Sequence, residues 1–105
     1  MLILFDQGTP VGIQECLREH SIKTAHQMGW STLLNGELLQ AAEQMGFDLL
    51  LTTDKNLVYQ QNLATRKIAI VVLGKNRWSL LRPILWKIAE AVNAAKPGSY
   101  TLIEI

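Results

Sequence analysis

Three acidic residues, Asp6, Glu37 and Asp54, are the side chains in this sequence best suited to chemistry. Asp6 directly follows the apolar run Leu2 to Phe5, and Asp54 directly follows a second apolar run that ends in Thr52-Thr53. Two carboxylates about 4–5 Å apart repel by roughly 3–4 kcal/mol at an effective dielectric near 20, so clustered acids need a cation or a proton. Mg²⁺ and Mn²⁺ prefer such hard oxygen ligands. If the fold brings the acids together, they predict a divalent-metal site with nuclease-like chemistry.

Each acid also has an ordinary structural interpretation. Asp54 can cap a following helix, and Glu37 near a helix start can complement the helix dipole. Asp6 caps no obvious helix, because Gln7-Gly8-Thr9-Pro10 follows it. The functional interpretation therefore depends on whether the three acids meet at one place.

The pattern of apolar residues predicts a parallel sheet covered by helices. Short apolar runs bounded by polar turns are typical of strands buried on both faces. Such runs lie at residues 2–5, 47–51 and 68–73, and the predicted strands extend the second run through Thr53 and the third back to Lys67. A weaker strand is predicted at 22–25 and an alternating edge strand at 100–105.

Helical spacing and capping residues predict four helices between these strands. The first opens at Thr9-Pro10 and contains Ile13, Cys16, Leu17 and His20. The second is capped by Asn35 and ends near Met45, and the third is capped by Asp54 and contains Leu57, Val58 and Gln61. The longest opens at Ser79, tolerates Pro83 in its first turn and carries one apolar stripe: Leu81, Leu85, Ile88, Val92 and Ala95.

This alternation predicts one α/β domain over residues 1–105, with three layers and a mostly parallel five-stranded sheet in the order 2-1-3-4-5. In that order Asp6 and Asp54 end neighbouring strands at the crevice where open sheets bind ligands. Glu37, in the first turn of the helix that leads into strand three, can reach the same crevice.

Composition limits the function classes. With 105 residues, 49% hydrophobic and 18% charged, the chain is neither disordered nor a coiled coil. One cysteine, Cys16, allows no internal disulfide, and no apolar run is long enough for a signal peptide or a membrane span, so we expect a cytoplasmic protein.

Charge is distributed unevenly along the chain. Residues 1–65 hold 3 Lys/Arg and 7 Asp/Glu, whereas residues 66–105 hold 7 Lys/Arg and 2 Asp/Glu. The basic C-terminal part can contact phosphate, although solvated surface is the commoner role of such charges.

Three sequence blocks resemble the small PIN-like domains of bacteria, which often accompany toxin–antitoxin modules. The blocks are Ile3-Leu4-Phe5-Asp6, Asn35-Gly36-Glu37-Leu38-Leu39 and Leu51-Thr52-Thr53-Asp54-Lys55-Asn56-Leu57, and the likeness spans roughly Met1 to Leu73. PIN domains are metal-dependent ribonucleases that hold one or two Mg²⁺ or Mn²⁺ ions. The resemblance implies that Asp6, Glu37 and Asp54 are the catalytic metal ligands, with single-stranded RNA as substrate and an antitoxin protein as partner.

Two positions depart from the family pattern. The family commonly has aspartates where this chain has Asn35 and Asn56, so Asn56 would ligate a metal only through a neutral oxygen. Weaker metal binding is the expected consequence. The second hypothesis is therefore a catalytically weakened PIN-like module that binds RNA or a partner protein.

A receiver-like phosphoacceptor is the third hypothesis, because Asp54 follows strand three. The paired acids after strand one and the lysine after strand five that receivers use are missing.

Candidate RNA-binding residues lie near these acids. They are Lys55, Gln61 within the polar stretch 59–62, and Arg77, with Trp78 beside Lys75 and Arg77 as the expected stacking platform. Exposure to solvent is the alternative for the polar stretch, and core or interface packing is the alternative for the tryptophans. His20 and His26 lack metal-ligand spacing. Self-association through the Leu81–Ala95 helix or the Tyr100–Ile105 edge has no specific residue to indicate it.

Overall fold

The computed structural model describes residues 1–57 and 66–104, and the statements below concern those residues. Five strands form one sheet in the order β2-β1-β3-β4-β5: β1 is Leu2–Phe5, β2 Ser21–Thr24, β3 Leu49–Thr52, β4 Ala69–Leu73 and β5 Tyr100–Ile103. Every neighbouring pair is parallel. The predicted α/β class and strand order are therefore confirmed.

Burial explains why the three central strands read as continuous apolar runs. All residues of β3 and β4 are buried, as are Ile3, Leu4 and Phe5 of β1. At the edge, β2 alternates exposed and half-buried residues, because its side chains point to the two faces in turn and only the face of Ile22 packs against a hydrophobic cluster. β2 is short and has no continuous apolar run, and it was the weakest of the strand predictions.

Two hydrophobic clusters cover the two faces of the sheet, and adjacent strand residues alternate between them. Leu51 belongs to one cluster together with Phe5, Leu81 and Ile88, and Leu50 belongs to the other. The second cluster includes Leu38, Leu39 and Ala42 of helix α1, which spans Asn35–Gln44. Gly46, at φ +81°, lies just beyond this helix and confirms the predicted C-terminal stop.

The predicted first α-helix is wrong in type and length. Residues Val11–Cys16 form a 3-10 helix that begins after Pro10, so Leu17 and His20 lie outside it. The Thr9 hydroxyl does not cap this helix but donates to the Leu51 carbonyl at 3.2 Å. Gly12, with its low helix propensity, further weakens an α-helix here.

The predicted long C-terminal helix is interrupted at Pro83. The chain forms α2 (Trp78–Leu81), a 3-10 turn (Arg82–Ile84) and α3 (Leu85–Ala94). Proline has no backbone N–H for the helical ladder and its ring crowds the preceding turn, so the helix tightens at this position. Leu81, Ile88 and Val92 still face the core, as the predicted stripe requires, whereas Leu85 and Ala95 are only half-buried.

Several predicted boundaries move by a few residues. Leu34, not Asn35, is the N-cap of α1; β3 begins at Leu49 and β4 at Ala69, later than predicted. The part of the predicted third helix that follows Leu57 lies outside the described residues. Among residues 1–57 and 66–104, no helix has the length and apolar character needed to cross a membrane.

Candidate functional site

The register of β1 and β3 places Asp6 and Asp54 at the same edge of the sheet. Phe5 pairs with Leu51, and the backbone N–H of Asp6 donates to the Leu51 carbonyl at 2.9 Å. Asp54 follows Thr52, the last residue of β3, by two positions. Both acids are half-buried at this edge of the sheet, the edge at which the strand order predicts ligand binding.

Thr52 joins these two acids. Its buried hydroxyl donates to Oδ2 of Asp6 at 2.8 Å and accepts the backbone N–H of Asp54 at 3.1 Å. Sequence reasoning treated Thr52 only as a strand residue. The available signal was a hydroxyl at the end of an apolar run, two residues before an aspartate.

The Asp6 carboxyl has a perturbed acidity. Burial raises the pKa of this carboxyl above its ordinary value, and the charge of Asp54 raises it further, whereas hydrogen bonds from Thr52 and from the Gln7 N–H lower it. The Gln7 bond is 2.8 Å long and ends on Oδ1. Burial has the largest effect, so an ionised Asp6 is held at a cost that a nearby cation would offset.

Asn35 and Asn56 both lie at Asp54. The Asn35 Nδ2 group donates to Oδ2 of Asp54 at 2.7 Å, although 19 residues separate them. The backbone N–H of Asn56 donates to Oδ1 of Asp54 at 2.9 Å and closes a tight turn. Asn35 therefore supplies a neutral hydrogen-bond donor where an aspartate would add a second negative charge.

Glu37 is placed differently from the other two acids. It is exposed, and its Oε1 accepts the backbone N–H of Leu34 at 3.3 Å, at the start of its own helix. Glu37 thus lies in the first turn of α1, the position at which the alternative interpretation has its charge complement the helix dipole, and it also bonds the N-terminal backbone of that helix. Across the described part of the chain, no group of three or more His, Cys, Asp or Glu side chains is arranged to hold a metal ion.

The donor set around Asp6 and Asp54 still suits a hard divalent cation. Among the described residues, each of the four carboxylate oxygens accepts one hydrogen bond, from Gln7, Thr52, Asn56 or Asn35. A carboxylate oxygen has a second lone pair with which it can bind a metal. One or two carboxylates completed by water is a common arrangement for Mg²⁺.

Basic side chains surround the same edge of the sheet. Lys55 and Lys75 line a pocket of about 210 Å³ together with Gly74, Leu102 and Glu104. Arg77, two residues after Lys75, is exposed in the turn between β4 and α2. Gln61, the remaining candidate RNA-binding residue, lies outside the described residues.

The tryptophans differ in exposure, and the predicted stacking platform is not the most accessible of them. Trp78 is half-buried, and a Cβ atom at Gly12 would lie 2.6 Å from its ring, so the indole rests against the Gly12 backbone. Trp30 packs edge-on against Phe47 with 6.0 Å between ring centroids. Trp86 of α3 is 66% exposed.

The two histidines and the cysteine make contacts away from the Asp6–Asp54 pair. His20 lies between the N-terminal amine at 3.0 Å and Asn93 at 2.8 Å, and His26 contacts Ser31 at 3.4 Å. The Cys16 thiol donates to the Ile13 carbonyl, and burial raises its pKa, which lowers its reactivity.

Comparisons with known proteins identify no relative. No protein-family model matches the chain, no curated protein matches it, and no solved structure matches it.

Proposed function

We propose that this protein is a metal-dependent ribonuclease of PIN-like type that cleaves single-stranded RNA at the Asp6–Asp54 edge of the sheet. The observation that carries the proposal is the pair of half-buried acids at the ends of β1 and β3, where the Thr52 hydroxyl bonds both the Asp6 carboxylate and the backbone N–H of Asp54. Buried like charges are costly unless a cation or a proton accompanies them. A site for a cation at the carboxyl ends of parallel strands explains the pair.

Asp6 and Asp54 would hold Mg²⁺ or Mn²⁺, and Asn35 and Asn56, which both hydrogen-bond to Asp54, would add neutral oxygens. The bound ion would supply Lewis-acid activation of water and neutralise charge at the scissile phosphate. Thr52 fixes the orientation of the Asp6 carboxylate, and Lys55 and Lys75 offer positive charge to the phosphates on either side. Glu37 would take part only after leaving the Leu34 N–H.

Cleavage of RNA tests this assignment. Purified wild type should degrade a single-stranded RNA in Mn²⁺ or Mg²⁺, and Asp54→Asn should abolish most of that activity. Asp48→Asn is the matched control, because Asp48 precedes the other end of β3 and its Oδ2 accepts the Leu2 N–H. Equal cleavage by wild type and Asp54→Asn would contradict the catalytic assignment, since the activity would then come from elsewhere.

A second function, a binding module without metal, is favoured by the 2.7 Å hydrogen bond from Asn35 to Asp54. This bond stabilises Asp54 in the absence of a cation. A metal titration separates the two functions. Mn²⁺ at about 100 times its dissociation constant should add roughly 2.7 kcal/mol, which raises the melting temperature by on the order of 10 °C. A melting temperature that stays constant up to millimolar Mn²⁺ favours the binding module.

We further propose that the protein acts in the cytoplasm as the toxin of a toxin–antitoxin pair. A small antitoxin encoded by a neighbouring gene would then cover the acidic crevice. Expression of the native gene neighbourhood with affinity purification of this chain should recover such a protein. Recovery of the isolated chain alone would contradict the pairing.

A further inference from the structure

We infer that this protein has a binding surface for single-stranded RNA that works without metal. The surface lies on the outer face of the 3-10 turn and the start of α3, and its residues are Trp86, Arg82 and Lys87. The ligand class follows from the proposed function. The surface itself is a separate site, because it lies on the helical layer and not at the Asp6–Asp54 pair.

Exposure of Trp86 is the first observation. Its side chain is 66% exposed, whereas Leu81, Ile88 and Val92 of the same helical stretch are buried in the core. Core packing therefore does not account for this tryptophan. An accessible indole is a stacking platform that accepts any base, and such stacking is a main contribution to single-strand binding.

An excess of positive charge is the second observation. Residues 75–89 contain Lys75, Arg77, Arg82 and Lys87 and no acidic residue, and all four are exposed. In the described ranges no ion pair joins any of the four to a carboxylate, although Glu90 and Glu104 line the same pocket as Lys87. Lys87 instead donates to the Glu104 backbone carbonyl at 3.3 Å. These cations complement a polyanion.

The arrangement of the cations is the third observation. Lys75 and Arg77 lie in the turn after β4, at the same edge of the sheet as Asp54. Arg82 lies in the 3-10 turn and Lys87 in α3, so positive charge continues from that edge along the helical layer to Trp86. A line of cations suits a strand of phosphates better than it suits a single anionic group.

RNA fits this surface better than an acidic protein does. Protein interfaces are depleted in lysine at their centres and bury about 800 Å² per partner, with an apolar core. Here the large apolar side chains exposed between residues 75 and 90 are Leu80 and Trp86, and Leu80 is only 38% exposed. The acidic-protein partner is therefore treated as an outcome of the test.

The experiment measures binding of a short fluorescein-labelled oligouridine to the full chain in EDTA by fluorescence anisotropy. Trp86→Leu keeps an apolar side chain but removes the aromatic face, and we expect affinity to fall roughly 5- to 150-fold, the equivalent of one stacked base. Trp86→Phe should retain most of the affinity. Thermal melting of each variant checks that these exposed substitutions leave the fold intact.

Salt dependence tests the cations. Replacing both Arg82 and Lys87 by glutamine should make the slope of log affinity against log salt shallower by roughly 1.4, since each phosphate contact on a single strand contributes about 0.7. Lys96→Gln is the matched control, because Lys96 is an exposed lysine beyond the C-terminal end of α3. It should leave the slope unchanged.

Three results would overturn the inference. If Trp86→Leu binds the RNA as tightly as wild type, Trp86 does not stack on a base. If Lys96→Gln changes the salt slope as much as the Arg82/Lys87 double variant does, the binding is non-specific attraction to positive charge. Displacement of the RNA by an equal charge concentration of polyglutamate would indicate an acidic protein partner. EDTA keeps these results independent of metal, so failure of the cleavage assay and failure of this surface are distinguishable.

Discussion

The Asp6 carboxylate is half-buried beside Asp54, and its ionisation costs stability. Burial raises its pKa in the folded state, so protonated Asp6 favours folding. That contribution is fully present below the unfolded pKa of about 3.9 and is lost as the pH rises through the raised folded pKa. The wild type therefore carries an electrostatic cost at neutral pH that a neutral residue would lack.

Asp6→Asn should consequently leave the metal-free protein as stable as wild type at pH 7 or slightly more stable. Its advantage should shrink as the pH is lowered toward 3, because wild-type Asp6 then becomes neutral as well. Urea denaturation in EDTA at several pH values measures this difference, with Asp48→Asn as the control for loss of an acid at the other edge of the sheet. A loss of roughly 0.5–2 kcal/mol at pH 7 would instead identify Asp6 as a structural cap.

Asn35→Asp is the second change at the residue scale. It replaces the donor at 2.7 Å from Asp54 by a second carboxylate. The metal-free protein should lose roughly 1.5–3 kcal/mol, the usual value of a hydrogen bond to a charged group. Mn²⁺ should restore this stability and bind more tightly than in wild type, because a third carboxylate strengthens the ligand set.

Melting curves at increasing Mn²⁺ measure both effects of Asn35→Asp. Asn35→Ala is the matched control, since it removes the hydrogen bond without adding charge. Identical Mn²⁺ responses of the aspartate and alanine variants would show that position 35 does not face a metal.

At the scale of elements, the contact of Gly12 with Trp78 joins the 3-10 helix after β1 to the first residue of α2. A Cβ at position 12 would lie 2.6–2.9 Å from three atoms of the indole ring. Gly12→Ala should therefore cost about 1–3 kcal/mol, the usual range for overpacking. Trp78→Leu in the same chain should remove most of that cost, which a urea-denaturation double-mutant cycle measures. Additive effects of the two substitutions would contradict the contact.

The elements that could be predicted are those whose signal is local. Continuous apolar runs identified β1, β3 and β4 because these strands are buried on both faces, and the strand order followed from the alternation with helices. The break at Pro83 was missed because the apolar stripe continues through it, so periodicity alone could not distinguish a kinked helix from a straight one.

The candidate site could be predicted only in outline. The strand order was enough to bring Asp6 and Asp54 to one edge. The bonds of Thr52 to Asp6 and of Asn35 to Asp54 join residues 46 and 19 positions apart, so they depend on register and helix orientation that no local pattern encodes. The exposure of Trp86 likewise depends on where the kinked helix rests on the sheet.

At the scale of the whole molecule, one sheet supports both hydrophobic clusters, so they should unfold together. Leu50 and Leu51 are adjacent, fully buried and on opposite faces. Each substitution to alanine should cost about 2–5 kcal/mol. Far-ultraviolet circular dichroism and tryptophan fluorescence should report the same single unfolding transition in each variant. The slope of the unfolding free energy against urea concentration should equal that of wild type. Separate transitions for the two probes would mean that the clusters are independent.

The position of β1 inside the sheet affects how the chain folds during its synthesis. β1 lies between β2 and β3, and its partner β3 begins only at Leu49. At about 5–20 residues per second, the ribosome needs about 2–9 s to add the chain between Phe5 and Leu49. The same time separates the emergence of Leu2–Phe5 from the ribosome and the emergence of the strand that completes its burial. The nascent chain therefore exposes an apolar, β-prone tetrapeptide until β3 emerges, and a ribosome-associated chaperone that shields it would raise the yield of folded protein.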